Sequence, residues 1–194
     1  MSKKPIRDKD GVIHFKDYPE FVPNLTPKEI FQMGSFGGTY FRPIKSSVTN
    51  KTYRNQHLEF PKNWYTGLDT NVYVTNEKCQ PNINKYKVRS GLSLRTWEDS
   101  GWITHHDPYG WFQWYCRFYQ GRRCPDDERQ IMRWVKYASE KSGRWRRRLI
   151  NQCLDKKKTF KDIEHDITFS PVIRQGLQHW GYMLNEKDFK KHRR

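Results

Sequence analysis

The sequence predicts a mostly α fold, with a compact helical C-terminal half and an irregular, loop-rich N-terminal half that carries short β pieces. After residue 107, apolar residues recur three and four positions apart, which is the spacing of one helix face. Four proline dipeptides mark helix starts, because the first helical residue needs no amide hydrogen. Between residues 34 and 90, seven glycines and prolines punctuate the chain instead, which predicts loops and short strands.

Each predicted helix has a start signal, a stop signal or both. Thr26 and Ser170 carry hydroxyl oxygens suited to an N-cap, and we assign Asp107 the same role at the start of a longer helix. Gly34 and Gly121 end two of the helices. The predicted helices cover about 26–33, 93–98, 107–120, 125–141, 144–155 and 170–182. The β-prone pieces are 39–41, 71–74 and 86–88.

We predict one globular domain over residues 21–184, between a flexible basic arm over 1–20 and a basic tail over 185–194. The chain of 194 residues suffices to bury a core. Of these residues 15% are aromatic, including eight tryptophans, which argues against a disordered basic chain. The formal charge of +16 stays strongly positive when both ends are left out. The composition therefore indicates a folded protein with a polyanionic partner.

Several classes of protein are excluded from the prediction. No apolar run approaches the roughly 18–20 residues of a membrane helix, and the charged N-terminus lacks the apolar core of a secretory signal. The four cysteines form no CxxC pair, which favours reduced thiols in an intracellular protein, nuclear, cytoplasmic or in a nucleoprotein particle. We predict no membrane partner, no cofactor and no metal site. A zinc site built from scattered cysteines and histidines is the alternative, and the oligomeric state stays open.

The strongest functional signal is the segment 117–148, where eleven basic residues oppose four acidic ones. Arg129, Arg133 and Lys136 share one helix face, opposite an apolar stripe through Ile131 and Trp134. Because guanidinium forks suit phosphate oxygens, the segment predicts sequence-independent nucleic-acid binding, with DNA favoured over RNA. The predicted contact residues are Arg117, Arg122, Arg123, Arg129, Arg133, Lys136, Arg144, Arg146, Arg147 and Arg148.

Other functions stay open. One is an enzyme that acts on the bases or phosphodiesters of nucleic acid, with Asp107 as a catalytic carboxylate and His105 or His106 as acid or base. The glycine-rich loop 34–43 would supply amides for a phosphate in that hypothesis, although a tight connector is its favoured interpretation. Another is a structural protein that neutralises packaged nucleic acid. The turn before residue 144 also allows a helix-turn-helix motif for DNA binding. The simplest alternative to a binding surface is a cationic face that only contacts solvent.

Two stretches of the chain carry a resemblance to other proteins. Residues 34–43 (GSFGGTYFRP) and 107–123 (DPYGWFQWYCRFYQGRR) resemble a family of small, basic proteins without an assigned activity, over about residues 20–182. The resemblance implies a single intracellular domain. Because no catalytic residues are assigned in that family, it gives no role to any position of this sequence.

Overall fold

The computed structural model describes residues 4–192, and over this range the chain is mostly α, as predicted. Six of the nine α-helices in these residues lie after residue 107. The helices are α1 (Pro27–Gln32), α2 (Thr70–Tyr73), α3 (Leu94–Asp99), α4 (Trp111–Tyr119), α5 (Asp127–Ala138), α6 (Arg144–Asp155), α7 (Phe160–Glu164), α8 (Pro171–His179) and α9 (Glu186–His192). Two antiparallel hairpins pair β1 (Ile6–Arg7) with β2 (Ile13–His14), and β3 (Ile44–Lys45) with β4 (Thr52–Tyr53).

The start signals of α1 and α3 act as predicted. The Thr26 hydroxyl accepts a hydrogen bond from the Glu29 amide at 3.2 Å, and the Glu29 carboxylate accepts one from the Thr26 amide at 2.7 Å, which closes a capping box. The Ser93 hydroxyl accepts from the Thr96 amide at 3.1 Å. These hydrogen bonds join residues three positions apart, so they depend on local sequence alone.

Two other predicted caps are wrong. Helix α4 begins at Trp111 after Gly110, whose φ of 88° turns the chain into the helix. Asp107 lies in the preceding turn, where its buried carboxylate accepts hydrogen bonds from two arginines instead of helix amides. Ser170 stands at the N-cap of α8 but donates its hydroxyl hydrogen to Gln152 at 2.6 Å. In both cases a tertiary partner replaces the local one.

Helix α6 has the predicted bounds, whereas α5 ends at Ala138, three residues before the predicted end. The backbone of Ser139 is extended there, with ψ at 161°. Gly143 then allows α6 to start very close to α5, because a Cβ at this position would lie 2.3 Å from the Ser139 carbonyl oxygen. The two helices therefore form a tight αα-hairpin.

The three predicted β pieces are wrong in position. Residues 70–73 form α2, where the Asp69 carboxylate accepts a hydrogen bond from the Asn71 amide at 2.9 Å. Residues 39–41 and 86–88 contain no strand, and the Phe41 amide bonds to the Val74 carbonyl at 2.9 Å without a continuing ladder. Strands form instead at β1–β4, because a strand depends on a distant partner segment more than on the propensity of its own residues.

Both chain ends join the body of the protein within the described range. Ile13 and Phe15 are each 1% exposed and belong to the core, so the predicted arm over 1–20 is a packed segment from β2 onward. In the predicted tail, α9 buries Phe189 in the same core. Residues 1–3 and 193–194 of these two predictions lie outside the described residues.

Aromatic rings build the centre of the core, as the helical spacing predicts. The buried Phe21 ring packs against five rings from α4 and α5, with centroids 5.2–6.3 Å apart. The buried indoles also have hydrogen-bond partners. Trp114 donates to the Asp127 carboxylate at 2.8 Å, and Trp134 donates to the Trp180 carbonyl at 2.9 Å. This core holds α4, α5 and α8 in fixed positions around the site described next.

Candidate functional site

Asp107 is the centre of a buried ion-pair cluster. Its side chain has no exposed surface, and its oxygens lie 2.9 Å from Arg117 and 2.6 Å from Arg122. Arg117 also pairs with Glu59 at 2.6 Å. Burial alone lowers the pKa of Arg117, but its hydrogen bonds to Glu59 and Asp107 outweigh that effect and raise the pKa overall. Both oxygens of the Asp107 carboxylate are occupied, so this carboxylate ties α4 to the preceding turn and does not itself face solvent.

Three more predicted contact arginines have carboxylate partners of their own. Together with Arg117 and Arg122, five of the ten predicted contact residues therefore pair with a carboxylate. These five are not the free cations that the charge count predicted. Arg146 is also buried, with its guanidinium 4.9 Å from the Tyr182 ring centroid. The three pairs are Arg123 with Asp17 at 2.7 Å, Arg129 with Asp126 at 2.5 Å and Arg146 with Asp188 at 3.0 Å.

A second group of cations lies on the α5–α6 hairpin without carboxylate partners. All of these side chains are exposed, and none forms an ion pair with any residue in the range 4–192. We call this group the cationic ridge. It consists of Lys136, Lys141, Arg144, Arg147 and Arg148.

Beside the ridge lies a cleft of about 650 Å³. Residues of α3, α4, α5, α6 and α8 line it, and nine of its 19 lining residues are Phe, Tyr or Trp. We call it the aromatic cleft. Five of the eight tryptophans in the chain reach it, namely Trp97, Trp102, Trp111, Trp145 and Trp180.

The rings on one wall of the aromatic cleft follow one another. Trp145 lies 6.0 Å from Tyr137, and Tyr137 stacks on Trp180 at 4.6 Å with an angle of 13° between the ring planes. Trp180 in turn lies 4.6 Å from Trp111. Distances of this size are those of interacting rings, so these four side chains form one packed aromatic wall, in which Tyr137 and Trp180 cover one face of each other's ring.

Arg133 brings a positive charge into the aromatic cleft. Its guanidinium lies 5.6 Å from the Trp102 ring and 5.4 Å from the Trp180 ring, and it donates to the Gln130 side chain at 2.9 Å. Burial lowers the pKa of Arg133 to about 10, which leaves it charged at neutral pH. Within the described residues Arg133 has no ion pair, and the cleft lining contains Lys136 but no carboxylate. The cleft therefore favours a ligand with negative charge.

A buried histidine supports the floor of the aromatic cleft. His179 Nε2 accepts a hydrogen bond from the Phe36 amide at 3.0 Å, and the two rings stack at 4.0 Å. Burial lowers the pKa of His179 to about 3, so the imidazole is neutral at physiological pH. The stacked pair holds Phe36 in a left-handed conformation with φ at 63°. His179 also borders a smaller cavity of about 180 Å³, which shares Phe36 with the aromatic cleft as a lining residue.

The glycine-rich loop 34–43 is a tight connector. Gly38 fits against the Val72 carbonyl oxygen, which a Cβ would approach to 1.9 Å. The amides of Phe36 and Gly37 donate to His179 and to Asn84, the latter at 2.6 Å. Because these amides are already bonded within the protein, they are not available to a phosphate.

The remaining catalytic candidates lie apart from the cleft. His105 is exposed and His106 is partly buried, with their ring centroids 3.9 Å apart. Neither histidine lines the aromatic cleft, and neither does Asp107. Among residues 4–192, no group of three or more His, Cys, Asp or Glu side chains is arranged to hold a metal ion. No helix in the same range is long and apolar enough to cross a bilayer.

Comparison with protein-family models, with curated proteins and with solved structures finds no match to this chain. The resemblance of residues 34–43 and 107–123 to a family of basic proteins thus stays a prediction. The function has to be inferred from the site itself.

Proposed function

We propose that the protein binds nucleic acid through the cationic ridge, chiefly by sequence-independent contacts to phosphates, with DNA as the favoured partner. The observation that carries the proposal is the pairing pattern within the segment 117–148. Five arginines there have carboxylate partners, whereas the five exposed cations of the ridge have none in the described residues. An intracellular location, nuclear, cytoplasmic or in a nucleoprotein particle, belongs to this proposal.

The unpaired state of the ridge matters because a phosphate can neutralise only a cation that is not already neutralised. Each such contact releases condensed counterions from duplex DNA. If all five side chains contact phosphates, log Kobs falls with log[salt] at a slope of about −4 to −5. In addition, α6 has no acidic residue in its first turn to offset Arg144 and Arg147 there. Cations at a helix N-terminus oppose the helix dipole, and a bound phosphate relieves that opposition.

Catalysis is not part of the proposal. The Asp107 carboxylate is enclosed by Arg117 and Arg122, and it lines neither of the two cavities that the residues of the loop 34–43 border. A structural role in packaged nucleic acid would use the same ridge and belongs to the same binding chemistry.

The proposal is tested by fluorescence anisotropy of a labelled 20-bp duplex, titrated at several salt concentrations. The variant R144Q/R147Q/R148Q removes three ridge charges, and we expect its salt slope to shrink by about 2–3 with equal losses for unrelated sequences.

The matched control is K28Q/K51Q/K62Q, which removes three exposed charges outside the ridge. It lowers the net charge equally, so it should change the slope far less. Binding that is flat between low and physiological salt, or equal losses in both variants, would contradict the proposal.

A further inference from the structure

We infer that the aromatic cleft receives unpaired bases of a single-stranded nucleic acid whose phosphates lie on the cationic ridge. This inference rests on the proposed function and adds to it the form of the ligand and the site of base contact. It would make the protein bind single strands more tightly than duplexes.

The shape of the cleft suits flat aromatic groups. A cleft of about 650 Å³ lies within the range of small-molecule sites, roughly 300–1,000 Å³. The ring series Trp145, Tyr137, Trp180 and Trp111 forms one aromatic wall, in which stacked neighbours cover part of each other's faces. Trp102 remains 39% exposed at the edge, where its ring can contact a base. Proteins that bind single strands without sequence preference stack successive bases on aromatic side chains in this way.

The charge of the cleft restricts its occupant further. Arg133 lies between the indoles of Trp102 and Trp180 without an ion pair in the described residues. An uncharged apolar ligand would bury this guanidinium further and leave it unpaired, which is costly. A cationic ligand would be repelled by Arg133 and Lys136. A group that is both aromatic and anionic, such as a nucleotide within a strand, satisfies the rings and the charge together.

The cleft and the ridge are continuous. Trp145 lines the cleft, and the guanidinium groups of Arg144 and Arg148 lie 5.3 Å and 5.8 Å from its ring centroid. Lys136 belongs to both surfaces. A strand whose backbone follows α6 therefore has its bases next to the open side of the cleft. In a duplex the bases are paired and stacked on each other, so the cleft discriminates against it.

The test compares three probes with the full-length protein: the oligonucleotide dT12, a 12-mer of abasic deoxyribose phosphates, and a 12-bp duplex. The abasic strand keeps the phosphates and lacks the bases. We expect dT12 to bind about 5-fold to 100-fold more tightly than the abasic strand, with quenching of tryptophan fluorescence, and to bind more tightly than the duplex.

Variants of Trp102, at the edge of the cleft, test whether the bases bind there. W102A should lower the affinity for dT12 by about 5-fold or more and leave the abasic strand unchanged, while W102F should keep most of the affinity because it keeps a ring. L58A, which shortens an exposed apolar side chain outside the cleft, should have no effect. Unchanged binding of the abasic strand by W102A also shows that the variant is folded.

The outcomes separate the two proposals. If none of the probes binds in a salt-dependent manner, the proposed function fails and this inference fails with it. If all three probes bind equally well with the expected salt slope, the ridge binds phosphates and the inference about the cleft is overturned. The same holds if W102A weakens binding of the abasic strand as much as binding of dT12.

Discussion

Two groups of cations from the same short segment have opposite surroundings. Arg117 and Arg122 converge on a buried carboxylate, whereas Arg144 and Arg148 lie exposed beside a tryptophan ring with no ion pair in the described residues. The residue type is the same in both groups. The position of nearby carboxylates, and not the number of arginines, therefore decides whether a basic segment stabilises the fold or can bind an external anion.

The largest effect is expected from breaking the buried group. D107N keeps the shape of the side chain but removes its charge, which leaves Arg117 and Arg122 without their shared partner. Removing one member of a buried ion pair typically costs about 3–5 kcal/mol. Urea denaturation followed by circular dichroism would measure this loss of the free energy of unfolding.

The control for D107N is D99N. Asp99 pairs with Arg95 at 3.7 Å, but both side chains are mostly exposed, so D99N should cost less than about 1 kcal/mol. Similar losses in the two variants would mean that Asp107 does not hold the buried group together.

The next effect is the pH dependence of stability that comes from the buried His179 beside the cleft. Because burial lowers the pKa of His179 to about 3, the unfolded chain binds a proton below pH 6.5 that the folded protein does not. The contribution of His179 to stability is therefore complete above pH 6.5 and is lost as pH falls toward 3. Between pH 6.5 and about pH 4 it should amount to about 3 kcal/mol.

Chemical denaturation at a series of pH values would show this loss. H179Q keeps a hydrogen-bond acceptor for the Phe36 amide and has no titratable group, so its stability should fall less steeply over the same interval. A variant with the same slope as the natural protein would assign the pH dependence to other groups.

The smallest effect comes from two neighbours on α6. R146Q removes a buried guanidinium from Asp188 and Tyr182 and should cost about 1–3 kcal/mol without changing the salt slope of nucleic-acid binding. R147Q removes an exposed charge of the ridge and should change stability by less than about 0.5 kcal/mol while lowering the salt slope by about 1. Thermal melts and anisotropy titrations on both variants measure these two effects. A large loss of stability in R147Q, or a lower salt slope in R146Q, would contradict the expectation.

The accuracy of the sequence prediction follows the range of the interactions involved. The capping box at Thr26 and the bounds of α6 were predicted correctly, because they depend on residues within a few positions. Asp107 was assigned to a local cap, yet its partners lie ten and fifteen residues away. The small strands were misplaced for the same reason, since β3 needs β4 to exist.

The position of the aromatic cleft had no signal in the sequence. Its tryptophans come from three helices, the loop after α3 and the residue after the end of α8, spaced irregularly between residues 97 and 180. In sequence, Trp111 and Trp145 follow the same helical periodicity as core residues, and nothing local distinguishes a ring that lines a cleft from one that is buried. The high count of eight tryptophans was the only available hint.

What the chain determined by itself is its helical character, its aromatic core and its excess of positive charge. These properties are sums over residues or follow from local hydrogen bonds and periodicity. Only the tertiary structure decided which arginines meet a carboxylate and which tryptophans face open space. Both outcomes depend on where helices distant in sequence come together, and a composition carries no information about that.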